Sequence, residues 1–251
     1  YCSSNQEVLD TVIQAFKVSE ALMIPAMVVL DAFALSHTYE VVEIPEQSEV
    51  DKYLPPFNPA VRLTPSDPHA FGGLTGPEHY FELRYKLQKD MEKAPALIEE
   101  TGREFEKRFG RNLGLVDAYR CDDADFAFVT SGTAGFTARV AVDDLRKSGV
   151  KAGNLRIKVF RPFPFAKVRE VLKKVRKAAV VDRNCSYGAH GIFYQETKSA
   201  LYGKAGMPPL FGYITGLGGR DITVDTFKEI AAHALAKDKA DEEIVWIGVK
   251  K

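Results

Sequence analysis

The sequence predicts an α/β protein in two parts, and three observations carry that expectation. From about Cys121 onward, short β-branched and aromatic runs alternate with helix-period segments to the end of the chain. At the front, a capped helix leads into a continuous apolar run, which is half of an α/β unit. Between them seven prolines (Pro45, Pro55, Pro56, Pro59, Pro65, Pro68 and Pro77) fall within 33 residues, together with Gly72, Gly73 and Gly76. That texture marks a long irregular connection.

The elements follow in order. "SNQE", Ser4 to Glu7, reads as a capping box, with Ser4 capping a helix and Glu7 reaching back. Val8, Leu9, Val12, Ile13 and Phe16 then recur at helical spacing, so a buried stripe is expected. Pro25 closes this helix, and "AMVVL", Ala26 to Leu30, reads as a strand covered on both faces. After the proline-rich connection, Pro77 suits the first position of a helix. Leu87, Met91, Ala94, Ile98, Phe105 and Phe109 trace one face of that helix, with a bend expected at Pro95 and an end at Gly110. Beyond Cys121, "DFAFVTSG" reads as strand and turn, "FTARVAVDDLRKSG" as a helix closed by Gly149, "LRIKVFRP" as a strand and "PFAKVREVLKKV" as a helix. "KAAVVDRN" is a strand, "GIFYQETKSALYG" a helix, "LFGYITGLGG" a strand, "TVDTFKEIAAHAL" a helix and "EIVWIGV" a last strand. A largely parallel sheet between helices is the expected result.

Composition sets limits on function. The 251 residues are 45% hydrophobic and 27% charged, enough apolar material for real cores. Lys+Arg and Asp+Glu both number 34, so the chain lacks the basic excess of a nucleic-acid or anionic-membrane surface. No apolar run approaches a membrane span, and no stretch has the pattern of a signal peptide. The three cysteines, Cys2, Cys121 and Cys185, form no CxxC pair, which speaks against zinc or an iron–sulfur cluster ligated by this chain and fits reduced thiols in the cytoplasm. The chain begins at Tyr1, directly before a helix cap, and is therefore expected to be a piece of something longer.

Four stretches could carry chemistry. "TSGTAG", with Thr130, Ser131 and Gly132, joins a strand to a helix and reads either as an anion cradle or as a tight structural turn. It is neither GxGxxG nor a P-loop. "GLGGRD", with Gly218, Gly219, Arg220 and Asp221, follows a strand but lacks the dinucleotide fingerprint, and it reads as an interface staple. Cys185 and His190 share a loop and form either a nucleophile–base pair or a surface loop with a buried thiol. Asp31, Ser36, His37 and Glu40 lie just past the end of the apolar run, where ligands collect in open α/β sheets. The other reading makes Ser36 a turn cap and His37 a satisfied histidine. His69 and His79 read as loop and helix-start residues, and His233 as solvated in the last helix.

Taken together and in order, several stretches resemble one family. "YCSSNQEVLDTVIQAFKVSEALMIPAMVVLDAFALSHTYEVVEIPE", "GPEHYFELRY", "FGRNLGLVDAYR", "TSGTAG", "RIKVFRPFPF", "VVDRNCSYG" and "GLGGRDIT" are similar to the alpha subunits of the 2-oxoacid:acceptor oxidoreductases, of which pyruvate:ferredoxin oxidoreductase (pyruvate synthase) is the example. One departure is Ala32, where the family usually has glycine, and alanine restricts the backbone there. The resemblance implies that residues 1–120 are the C-terminal part of a thiamine pyrimidine-binding domain plus a connector and long helix. Residues 121–251 would be a transketolase C-terminal-like, three-layer α/β/α domain that supports assembly.

It also implies the chemistry: oxidative decarboxylation of pyruvate or a related 2-oxoacid with coenzyme A, electrons passing to ferredoxin. Thiamine diphosphate with magnesium would sit at the interface with another subunit, and the iron–sulfur clusters would sit on partner subunits, so that this chain holds no cofactor alone. The expected partners are a thiamine-binding beta subunit, a ferredoxin-like cluster subunit, a gamma-type subunit and ferredoxin, with no nucleic acid and no membrane. The catalytic residues that activate thiamine are expected upstream of Tyr1, which leaves Asp31, Ser36, His37 and Glu40 as candidates for the cleft rim. Within the enzyme class a branched-chain 2-oxoacid, 2-oxoglutarate or oxalate oxidoreductase is an alternative. In a different class, the alternative is a stand-alone α/β module binding a nucleotide or small anion.

Overall fold

The computed structural model describes residues 1–240 and 244–250. They divide into two compact units, one of Tyr1–Val8, Val29–Val42 and Leu115–Lys251 and one of Leu9–Val28 and Glu43–Gly114. The second unit is helical. Most of α1 (Asn5–Leu22) belongs to it, with α2 (Gln47–Tyr53) and α3 (Pro77–Phe109). Helix α3 begins on Pro77, runs through Pro95 and ends at Gly110, whose left-handed φ of 72° lets its N–H reach Glu106 O at 2.8 Å. Tyr53, Phe105 and Leu113 form the core with Ile13, Leu54 and Phe109. The Tyr53 hydroxyl donates to Thr101 O at 3.1 Å, so the proline-rich connection is anchored by a short helix that its composition did not announce.

Two expectations need correction in the front segment. The apolar stripe of α1 is met only in part: Ile13 packs on the core and Val8 and Leu9 are half-buried, but Val12 and Phe16 are 39% and 55% exposed and the fully buried residues of the helix are Asp10 and Gln14. Gln14 Nε2 lies 3.0, 3.0 and 3.1 Å from Ile98 O, Thr101 Oγ1 and Leu113 O, and Arg111 grips the Asp10 carboxylate at 2.6 and 3.0 Å. The helix is thus held by satisfied polar groups. Ala26–Leu30, expected as a strand, is irregular, and Met27 is 87% exposed. Its backbone receives the Cys2 N–H at Val29 O, at 2.8 Å, but among the described residues no strand pairs along it, and a strand needs such a neighbour.

The other unit holds a six-stranded sheet in the order β1-β3-β2-β4-β5-β6. The chain runs β1 (Val116–Tyr119), β2 (Phe126–Ser131), α4 (Ala134–Lys147), β3 (Ala152–Ile157), α5 (Phe165–Leu172), β4 (Lys177–Asp182), α6 (Ile192–Leu201), β5 (Leu210–Ile214), α7 (Val224–Leu235) and β6 (Val245–Trp246). The edge strand β1 pairs antiparallel with β3, and the remaining pairs are parallel. Strand β3 starts three residues ahead of the expected "LRIKVFRP", and β6 keeps two residues of "EIVWIGV", of which Glu243 lies outside the described residues.

Alternation along β2 builds both cores. Phe126 and Phe128 face Ala138, Ala141 and Val142 of α4 and Phe227 and Ile230 of α7, while Ala127 and Val129 face Val168 and Leu172 of α5 and Phe193 of α6. This is the three-layer α/β/α arrangement that the alternation predicts. His233, expected in solvent, is partly buried because it lies one turn past Ile230 on the inner side of α7, with Nδ1 2.8 Å from the Tyr213 hydroxyl. Among the described residues no helix is long and apolar enough to cross a membrane.

Candidate functional site

From β2 the chain moves to β3 on one side, and β4 lies on the other, so the winding reverses between β2 and β4. The crevice at the carboxyl ends of two such strands is where open α/β sheets collect ligands. Here it is formed by Ser131 at the end of β2 with Gly132 and Thr133 after it, and by Asp182 at the end of β4 with Arg183 after it. Gly132 takes φ +56°, turning the chain into α4. Into this crevice comes the Asp31 carboxylate. Its Oδ2 accepts the Thr133 N–H at 2.8 Å, the Thr133 hydroxyl, and Arg183 NH1 at 3.0 Å. Arg183 NH1 also donates to Thr133 Oγ1 at 3.0 Å, closing a triangle. A Cβ on Gly132 would stand 2.7 Å from Asp31 Oδ2. The anion that "TSGTAG" is shaped to receive is therefore supplied by the chain itself, at a helix N-terminus that favours negative charge. Thr130, one step earlier, donates its hydroxyl to Asn154 Oδ1 at 2.9 Å and is buried.

The residues after Asp31 form a tight turn. Asp31 O accepts the Leu35 N–H at 3.0 Å, and Leu35 is buried. Ser36 Oγ accepts the Phe33 N–H at 3.0 Å and lies 2.7 Å from His37 Nδ1. With the Ser36 proton donated to Nδ1, Nε2 is the N–H that His37 presents. The Phe33 and His37 rings stack at 4.7 Å and 27°. Phe33 is 71% exposed and has φ +62°, a left-handed conformation that costs a non-glycine residue energy. The positive φ falls on Phe33 and not on Ala32, so alanine fits at 32 without strain. Glu40 leaves this group: its carboxylate accepts the Asn5 N–H at 2.9 Å at the start of α1.

A charged cluster lies in the same unit. Glu7 accepts Arg156 at 2.8 and 3.0 Å, Lys158 at 2.9 Å and both the N–H and hydroxyl of Ser3 at 2.8 Å, with Arg156 also 3.2 Å from Asp117. Burial alone would raise the Glu7 carboxyl, but Lys158 and Arg156 more than reverse this and hold it well below the usual carboxylate range. The capping box thus reaches back to Ser3, one residue before the one expected, while Ser4 Oγ accepts the Glu7 N–H at 3.1 Å. Asp182, fully buried, is pushed up to about 6 by burial, partly offset by the N–H groups of Phe193 and Tyr194 that it accepts at 2.9 and 3.0 Å. The Cys121 thiol is pushed up to about 12 by burial, which makes it a poor nucleophile.

Comparison with known proteins decides the family. Residues 1–103 match the model described as pyruvate flavodoxin/ferredoxin oxidoreductase, thiamine diphosphate-binding, and residues 124–227 match pyruvate:ferredoxin oxidoreductase core domain II. The chain is 44% identical over 256 residues to the ketoisovalerate oxidoreductase subunit VorA of Pyrococcus abyssi, and 40% identical over 253 residues to the pyruvate synthase subunit PorA of Methanothermobacter thermautotrophicus. The chain belongs to the 2-oxoacid:acceptor oxidoreductase family. Both alignments take in 100% of this chain but 65% and 64% of the relatives, so the chain spans just under two thirds of the subunits it matches. Among solved structures, 2-oxoglutarate:ferredoxin oxidoreductase from Magnetococcus marinus aligns over 74% of this chain and 29% of its own at 16% identity, with a TM-score of 0.46.

Among the described residues no group of three or more His, Cys, Asp or Glu side chains could hold a metal ion. The crevice at the switch point is filled by Asp31. Of the other expected sites, Gly218 and Gly219 take positive φ at an exposed turn before α7, and Arg220 donates to Gly248 O within the same unit, while Asp221 is exposed. Cys185 and His190 share the β4–α6 loop, where His190 packs edge-on against Tyr194 at 5.4 Å. The residues that sequence reasoning missed are Phe33, Thr133 and Arg183. Arg183 carried a signal, a cation directly after a strand end beside a candidate anion cradle.

Proposed function

We propose that this chain is part of the alpha subunit of a 2-oxoacid:ferredoxin oxidoreductase whose substrate is pyruvate. In the overall reaction, pyruvate and coenzyme A give acetyl-CoA, carbon dioxide, a proton and two electrons that pass to ferredoxin. The observation that carries the reading is the likeness to PorA and VorA subunits along the whole chain, joined to the thiamine diphosphate-binding family match over residues 1–103. Partner subunits complete the cofactor site and carry the clusters. Residues 1 to about 120 belong with the thiamine domain, and those from 121 onward support assembly.

In this reading the Asp31–His37 turn stands at the rim of the cleft. His37 Nε2–H faces the substrate carboxylate, and the stacked Phe33 ring limits water beside it. A branched-chain 2-oxoacid is the second reading, favoured by the slightly higher identity to VorA of Pyrococcus furiosus, 45%, than to PorA of the same organism, 40%. His37→Ala in the assembled complex should lower kcat/KM at least about ten-fold, or ~1.4 kcal/mol, with little change in thermal stability. Normal kinetics with reduced stability would make His37 a fastening residue.

A further inference from the structure

We infer that Asp31, Thr133 and Arg183 form a latch by which the sheet unit fixes the pose of the Phe33–His37 turn, making Asp31 and Arg183 positioning residues for the oxidoreductase reaction. This rests on the reading of His37 as a rim residue. The latch is built from both ends of Asp31. Its carboxylate is held by Thr133 and Arg183, and its carbonyl accepts the Leu35 N–H that closes the turn. Moving the carboxylate therefore moves the turn. Phe33, two residues on, keeps a left-handed φ that an aromatic residue adopts only when its surroundings impose it. The surroundings here are the Ser36 hydroxyl on the Phe33 N–H and the anchored Asp31. The same hydroxyl meets His37 Nδ1, so one chain of bonds runs from Arg183 through Asp31 and the turn to the imidazole. Gly132 keeps the path open, since any side chain there would stand where the Asp31 carboxylate lies.

The place in the fold explains the economy of the arrangement. A switch-point crevice ordinarily receives a ligand's anion, and here the same donors receive a carboxylate that belongs to the turn. The PFOR core domain II match thus gains a role beyond support, which is to orient a segment belonging to the thiamine-domain match.

The test uses the full alpha subunit in its assembled complex, with viologen reduction by pyruvate as the assay. Asp31→Asn and Arg183→Met should each lower kcat/KM at least five-fold, and the double variant should lose no more than the worse single. Thr133→Val, a milder change that keeps both charges, should lose less in the same direction, and Arg183→Lys should recover part of the activity. In a His37→Ala background Asp31→Asn should cost nothing further, because it acts through His37; a purely structural contact would not show this. Normal kcat/KM in Asp31→Asn and Thr133→Val complexes, or losses that add to that of His37→Ala, would overturn the latch. If His37→Ala itself is normal, the rim reading falls and the latch falls with it. If His37→Ala is impaired and the latch variants are not, the latch alone is wrong.

Discussion

At Asp182, burial and hydrogen bonding oppose each other, and burial dominates. The carboxyl has no exposed surface and its proton is held up to about 6, against 3.8 for an unperturbed aspartate, although two helix N–H groups point at it. The native state therefore binds this proton more tightly than the unfolded chain does. By linkage, the contribution of Asp182 to stability falls as pH rises from about 4 to about 6 and is flat above that. Asp182→Asn should remove this dependence, so the variant's melting temperature relative to wild type should rise between pH 4.5 and 7. A constant difference across that range would show that the carboxyl titrates normally. Glu7 has the opposite sign. Burial raises its carboxyl, but Lys158 and Arg156 win and hold it below the usual range, so its contribution is present above about 4.5 and is lost as pH falls below that value.

Among the elements, α3 shows how one small residue sets a packing distance. A Cβ on Gly102 would stand 2.5 Å from Leu113 O and 2.9 Å from Leu113 C, both backbone atoms that cannot rotate away. Gly102→Ala gains helix propensity but must push the segment after the helix outward. It should destabilise the chain by about 1–3 kcal/mol, which at this size lowers the melting temperature by roughly 2–4 °C per kcal/mol. An unchanged or raised melting temperature would mean that Leu113 moves freely.

Elements also show what the sequence can reveal. The sheet unit was legible because its strands are short apolar runs and its helices carry a 3.6-residue period, signals that are local to each segment. Helix α1 was legible only in part because Ile13 shares its inward side with Asp10 and Gln14, whose hydrogen bonds hold the helix and which hydrophobic periodicity reads as solvent-facing. Ala26–Leu30 misled because a strand is defined by a neighbour that the run itself cannot specify. Strand β1, four residues long with Asp117 inside it, carried too little pattern to be seen.

For the whole molecule, half of the candidate site was legible. Asp31, Ser36 and His37 stood out by their place after an apolar run, and "TSGTAG" by its place before a helix. That the two meet was not legible, because Asp31 and Thr133 are 102 residues apart and no short-range rule links them. In the proposed reading the family match supplies the reaction class, and the Asp31–His37 turn is the rim, held by the proposed latch. The central claim is that this chain serves a 2-oxoacid oxidoreductase, and one assay tests it most directly. The full alpha subunit, assembled with its partner subunits, is supplied with pyruvate or 3-methyl-2-oxobutanoate and its coenzyme A-dependent reduction of viologen is followed. The prediction is thiamine-dependent turnover with kcat/KM highest for pyruvate. Higher kcat/KM for the branched acid would move the substrate within the class, and no coenzyme A-dependent reduction with any 2-oxoacid would contradict the account.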